Sequence, residues 1–143
     1  MCYKALMSQE SWTDLKSRSA AYYKGSEKLL SANDDDLIQN ALEQIHLALE
    51  LAMKATIAKH GGTYPDHGFS GHNLIKLIQH KYPPNRSIFT TMKDHNALSK
   101  ANICLSSWTM DCRYKNKLDY INMKSPINDY KELYLWIKDN LLT

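Results

Sequence analysis

One stripe of apolar residues constrains this chain more than any other feature. Ile38, Ala41, Leu42, Ile45, Leu49, Ala52, Met53 and Ile57 recur at spacings of three and four. That period places them on one face of an α-helix, and the pattern is too long and too regular for a strand. Asp34, Asp35 and Asp36 precede the stripe, offering an N-cap and negative charge at the positive end of the helix dipole. His60-Gly61-Gly62 follows it, and glycine tolerates the left-handed backbone that a helix C-terminus often requires. The spacing therefore predicts a long helix over 37–59, packed along its stripe against a core.

Four further helical segments follow from the same signals. The first covers 11–30, with Ser11 as cap, Asp14 three residues on, and a loose apolar face of Trp12, Leu15, Tyr22 and Leu29. The third starts at His72 or Asn73, carries Leu74, Ile75, Leu77 and Ile78, runs to about Lys81 and stops at Pro83-Pro84. The fourth lies within 87–110, where Leu98, Ala101, Leu105 and Trp108 keep a helical spacing and Asp94 is a candidate cap. The fifth has Ser125 as N-cap, Pro126 at its first position, and Ile127, Tyr130, Tyr134, Ile137 and Leu141 on one face. A polar connection over 111–124 joins the last two. No strand pattern, repeat or linker interrupts the series. The expectation is one all-α domain over 1–143, an antiparallel up-and-down bundle of about five helices with the second and fifth at its centre.

Composition narrows the function. A chain of 143 residues buries roughly 68% of its unfolded surface and needs no metal or disulfide to fold. Eighteen basic and fifteen acidic residues leave a net charge of +3, too modest for a protein that wraps nucleic acid. Cys2, Cys104 and Cys112 are odd in number and widely spaced, which implies free thiols in a reducing compartment. The first residues lack the apolar core of a signal peptide, and no apolar run of about 18 residues exists, so the expectation is cytoplasmic and off the membrane.

Glu50-Leu-Ala-Met-Lys54-Ala55 on the long helix resembles the Glu-x-x-x-Lys-Ala core of HEPN domains. His72-Asn73-Leu74, after a glycine-containing loop, resembles that family's His-x-Leu element, and Arg113-Tyr114 resembles its Arg-Tyr pair. Order and spacing agree across nearly the whole chain. The resemblance implies a helical bundle, often dimeric. Many members are metal-independent endoribonucleases of toxin, CRISPR or antiphage systems; others bind nucleotides or pair with a nucleotidyltransferase. The ribonuclease members carry Arg-x(4–6)-His, and here no histidine follows an arginine at that distance. The resemblance supports the fold and undercuts the usual catalysis.

The chemistry left to the chain is sparse. Any catalytic set would be His72, Arg113 and Tyr114, since histidine titrates near neutrality and an arginine can hold a phosphate. Lys54, His72, Asn73, Arg113 and Tyr114 are the candidates for contact with a nucleotide or RNA. His60, His67, His72 and His80 lack metal-ligand spacing, and the glycines lack a following Lys-Ser/Thr, so neither a metal, a cofactor nor a phosphate loop is expected. Glu50 and Lys54, four apart, read as a surface pair worth about 0.2–0.5 kcal/mol. Glu43 and Glu50, one heptad apart, are together a candidate for holding a partner's basic group. Nine tyrosines stand against two phenylalanines; Tyr120, Tyr130, Tyr134 and Trp136 are the interface candidates, with Lys115, Lys117 and Lys124 nearby. The reading is a HEPN-like domain that dimerises or docks on a protein partner, such as a nucleotidyltransferase, in a prokaryotic defence or toxin–antitoxin setting. The alternatives are an endoribonuclease with a divergent site and a nucleotide-binding domain.

Overall fold

The computed structural model describes residues 10–65, 73–95 and 127–143. Within them the regular elements are α1 (Trp12–Ser31), a 3₁₀ turn (Asp35–Leu37), α2 (Ile38–Lys59), α3 (Leu74–Gln79), α4 (Ile88–Asp94) and α5 (Ile127–Leu141). The chain is an all-α bundle, as its periodicity requires. The described residues contain no strand beyond one isolated bridge between Tyr82 and Arg86.

Local chemistry sets the helix ends. Ser11 is extended, and its hydroxyl accepts from the Asp14 amide at 3.2 Å, which starts α1. Asp34 caps the 3₁₀ turn by accepting from the Asp36 amide at 2.9 Å, so the acidic run acts one turn before α2. At the far end of α2, Gly61 takes a φ of 82° and Gly62 donates back to the Ile57 carbonyl at 2.9 Å. A Cβ at Gly62 would lie 2.8 Å from Tyr82 Cβ and 2.9 Å from Ile57 Cγ2, so this turn closes only on a glycine. Asn73 caps α3 through the Lys76 amide. α3 ends at Gln79, before the position the spacing implied, because His80 turns extended and binds the Thr63 carbonyl at 2.8 Å. Ser87 and Thr90 form a reciprocal capping box at the start of α4. Asp94, a candidate cap from the sequence, is instead the last residue of α4; Ser125 and Pro126 lie outside the described residues.

α2 is the centre of the bundle. Every residue over 48–57 is buried, so this part of the helix has no solvent face. Its principal neighbour is α1, and α3 and α5 also pack on it. α5 is not central. It buries one stripe, Ile127, Tyr130, Leu133, Tyr134, Ile137 and Leu141, while Glu132, Leu135, Lys138 and Asp139 on its other side are exposed.

The α1 stripe is only partly apolar. Leu15, Ser19 and Ser26 are its buried residues. Ser19 Oγ donates to the Ala48 carbonyl of α2 at 2.9 Å, and Ser26 Oγ to the Tyr23 carbonyl at 2.7 Å. The hydroxyls are satisfied, and their small size lets two backbones approach closely. Tyr23 of α1 stacks on Tyr134 of α5, with ring centroids 4.4 Å apart and planes 14° from parallel.

Leu49 is fully buried on α2, whereas Leu135 is exposed on α5. Leu49→Ala is expected to cost about 2–5 kcal/mol, and Leu49→Asp to unfold a domain of about 5–15 kcal/mol total stability. Leu135→Ala should stay within about 0.5 kcal/mol. Urea unfolding followed by far-ultraviolet circular dichroism checks the ranking; equal costs at the two sites would contradict the central placement of α2.

The stacked pair also sets an alkaline limit. Burial pushes the Tyr134 phenol up, opposed in part by the Ser19 hydroxyl and aided by Asp139 and Glu27. Burial pushes Tyr23 up too, with Glu27 adding to it. The fold thus holds both rings neutral while the unfolded chain ionises near pH 10. This contribution is complete below about pH 10 and is lost as pH rises from there through the folded values. Thermal melts from about pH 8 to pH 11 should fall at the alkaline end, and Tyr134→Phe should flatten that fall.

Candidate functional site

The long helix carries three ionisable residues at intervals of four, His46, Glu50 and Lys54, and all three are buried at 6%, 4% and 4% exposure. Glu50 lies between the other two. Its Oε2 is 3.2 Å from Lys54 Nζ, and its Oε1 is 3.7 Å from His46 Nε2. The Lys54 ammonium sits 5.7 Å from the centroid of Tyr64, beyond the C-terminal turn of α2. The Tyr64 hydroxyl accepts from the Glu10 amide at 2.7 Å, so the segment entering α1 holds this ring in place. His46 also borders a narrow apolar crevice with Ile45, Leu49, Leu74 and Tyr130, too tight to admit water.

The expectation of a surface Glu50–Lys54 pair is therefore corrected. Residues four apart on an amphipathic helix normally meet in solvent. Here the middle of the helix, 48–57, is covered on all sides, and a lone buried charge would cost several kcal/mol. Each charge needs its counterpart inside. A carboxylate between an ammonium and an imidazole meets that need, and the Tyr64 ring face adds a favourable field at the lysine.

Among the nucleotide or RNA candidates, the described residues include Lys54 and Asn73. Lys54 is committed to Glu50. Asn73, 8% exposed, commits Oδ1 to the Lys76 amide as the cap of α3. His72, Arg113 and Tyr114 lie outside the described residues, as does the interface candidate Tyr120. Tyr130 and Tyr134 are 1% and 2% exposed and belong to the core, which corrects their reading as exposed contact residues. Their three-to-four spacing marks the inward stripe of α5. Trp136 is partly buried against the core, edge-on to His95 with centroids 6.0 Å apart. Its neighbour Leu135 is the one exposed large apolar residue among those described. Glu43 is half-buried one heptad before Glu50.

The remaining described histidines have local partners. His60 Nδ1 is 2.8 Å from the Thr56 carbonyl, its ring lies against Tyr82, and His80 holds Thr63. No group of three or more potential metal ligands occurs among the described residues, and no helix among them is long and apolar enough to cross a membrane. His46 escaped the sequence reading. Stepping one turn back from the Glu50–Lys54 pair would have found it. Tyr64 had no such signal, because the chain's path after α2 brings it to Lys54.

Comparison of the chain with protein-family models, curated proteins and solved structures returns no match.

The buried line yields a paired test. Lys54→Met should cost about 3–5 kcal/mol by stranding the Glu50 carboxylate. Glu50→Gln combined with Lys54→Met should recover most of that loss. Denaturant titration of the two variants decides; a Lys54→Met protein as stable as wild type would mean that Lys54 is not held by Glu50.

Proposed function

We propose that the chain is a HEPN-like helical domain that works by association and not by catalysis. The observation that carries this reading is the burial of Glu50 and Lys54 against each other at the centre of α2. The motif that most resembles the family is spent on stabilising the bundle. Asn73 of the second matching element is likewise spent on a helix cap. Neither side chain is presented to a substrate.

Association then rests on the outer face of α5. Leu135 and the partly buried Trp136 stand next to each other there, an apolar step on a face otherwise made of Glu132, Lys138 and Asp139. A second copy or a protein partner covering that step would remove apolar surface at little polar cost. The prokaryotic defence or toxin–antitoxin setting, and a nucleotidyltransferase as partner, belong to this proposal through the resemblance alone.

Sedimentation velocity at micromolar concentration should give a homodimer or, with the partner present, a defined heteromer. Leu135→Glu should dissociate it without loss of helical signal. Purified protein should not cleave structured or single-stranded RNA in the presence of a chelator. Robust cleavage that disappears in both His72→Ala and Arg113→Ala, with the fold retained, would replace this reading with a ribonuclease.

A further inference from the structure

Charge is unevenly distributed over the described residues. Residues 73–95 hold four basic side chains, Lys76, Lys81, Arg86 and Lys93, against a single acid, Asp94. The other described segments, 10–65 and 127–143, hold eight basic and eleven acidic residues. With histidines neutral, the hairpin formed by α3, the Tyr82–Arg86 turn and α4 is +3, and the rest of the described residues are −3. Mixed signs are the ordinary state of a globular surface. Among the described residues the two signs are segregated.

Of the eight cations elsewhere among the described residues, five are engaged, while Lys24, Lys28 and Lys138 are exposed on helices that also carry acids. Arg18 pairs with Glu10, Lys54 with Glu50 and Lys131 with Glu27, while Lys16 and Lys59 donate to carbonyls at the end of α5 and lie over Trp12. The four hairpin cations are all exposed, and none forms an ion pair with a described carboxylate. Their backbone is well tied. Tyr82 and Arg86 exchange both amide–carbonyl bonds at 2.8 Å, and Arg86 Nη2 donates to Thr91 Oγ1 at 3.3 Å. The Tyr82 hydroxyl, 3.2 Å from the same Thr91 oxygen, anchors the turn in the core.

The geometry points to this α3–α4 hairpin as a contact surface for the phosphodiester backbone of a nucleic acid, bound through charge and without base selectivity. A protein partner fits it less well, because protein interfaces centre on buried apolar groups, and no large apolar residue of the hairpin is exposed. Its exposed neutral neighbours are Gln79, Pro83, Pro84 and Asn85. Four exposed cations without a described carboxylate partner, spread over α3, the tied turn and α4, suit an anion whose charges repeat along a chain. This surface lies apart from the α5 step and does not depend on the HEPN reading.

The test measures fluorescence anisotropy of labelled oligouridylate, oligothymidylate and duplex DNA, with polyglutamate as a competitor. It uses the full chain over a series of salt concentrations. Binding should be weak, on the order of 10⁻⁴ to 10⁻⁶ M, with a log–log salt slope of about −3 for four phosphates. Lys76→Gln, Lys81→Gln and Lys93→Gln together, with Arg86 kept because it bonds Thr91, should weaken binding at least about tenfold and flatten the slope by about 2. A control carrying Lys24→Gln, Lys28→Gln and Lys138→Gln, exposed cations of the other helices, should bind as wild type. Equal affinity for the three probes supports backbone recognition as such; preference for oligouridylate or for either DNA assigns the source of the phosphate. The proposal is overturned if the hairpin variant binds undiminished while its circular dichroism is native, if polyglutamate competes as well as nucleic acid, or if no probe binds at low salt. Should the triple variant lose its fold, Lys76→Gln and Lys93→Gln separately must each reduce the slope by about 0.7–0.9, and unchanged slopes overturn the proposal equally.

Discussion

The structure depends on the complete enclosure of the middle of α2. A helix with a solvent face can place its polar residues there. Over 48–57 this helix has none, so Glu50, Lys54 and Thr56 must all be satisfied within the protein. Thr56 bonds back to the Ala52 carbonyl at 2.9 Å, and Glu50 faces Lys54 on one oxygen and His46 on the other. Burying two opposite charges is tolerable only because they are buried together. The elements around α2 are positioned to keep them so: Tyr64 over the ammonium, and Glu10 holding Tyr64.

Enclosure also explains the chemistry of α1. A helix packed along the whole of another must come close, and bulky side chains on both would hold them apart. Ser19 and Ser26 solve this with small side chains whose hydroxyls find carbonyls. Ser19 ties the two helices directly: its hydroxyl donates to the Ala48 carbonyl of α2. A bond with one geometric solution penalises slippage of α1 along α2, because a shifted register would leave a buried hydroxyl without a partner. Apolar contacts alone would penalise that shift less.

The functional picture follows from where charge is spent. In the body of the bundle, five of the eight described cations are held by carboxylates, carbonyls or aromatic faces, and acids outnumber them. In the α3–α4 hairpin four exposed cations stand against one acid. The Glu-x-x-x-Lys pair, which by resemblance alone would draw attention as a site, is the most enclosed ionic contact among the described residues. The exposed apolar step on α5 and the cationic hairpin are the two surfaces we propose for contact with other molecules. They suit different partners: one offers dehydration of apolar area, the other an electrostatic contact that weakens with salt.

Much of the fold was legible in the sequence, and the reason is local. Ser11, Asn73 and Gly61 act at helix ends through bonds within a few residues, so their residue types suffice. The stripe from Ile38 to Ile57 needed only the helical period. The site was less legible. Periodicity shows which face of a helix is apolar, but not whether the opposite face is also covered, and that difference turned Glu50–Lys54 from a surface pair into a buried one. The same limit made Tyr130 and Tyr134 look like contact residues when they are core, and hid Ser19 and Ser26 on a stripe that reads as polar. The sequence by itself determined the helical class and the ends of most described helices, because these follow from short-range sterics and hydrogen bonding. Only the tertiary structure decided which helix lies at the centre, which charges lose their water and which cations stay exposed, because burial is set by residues far apart in the chain.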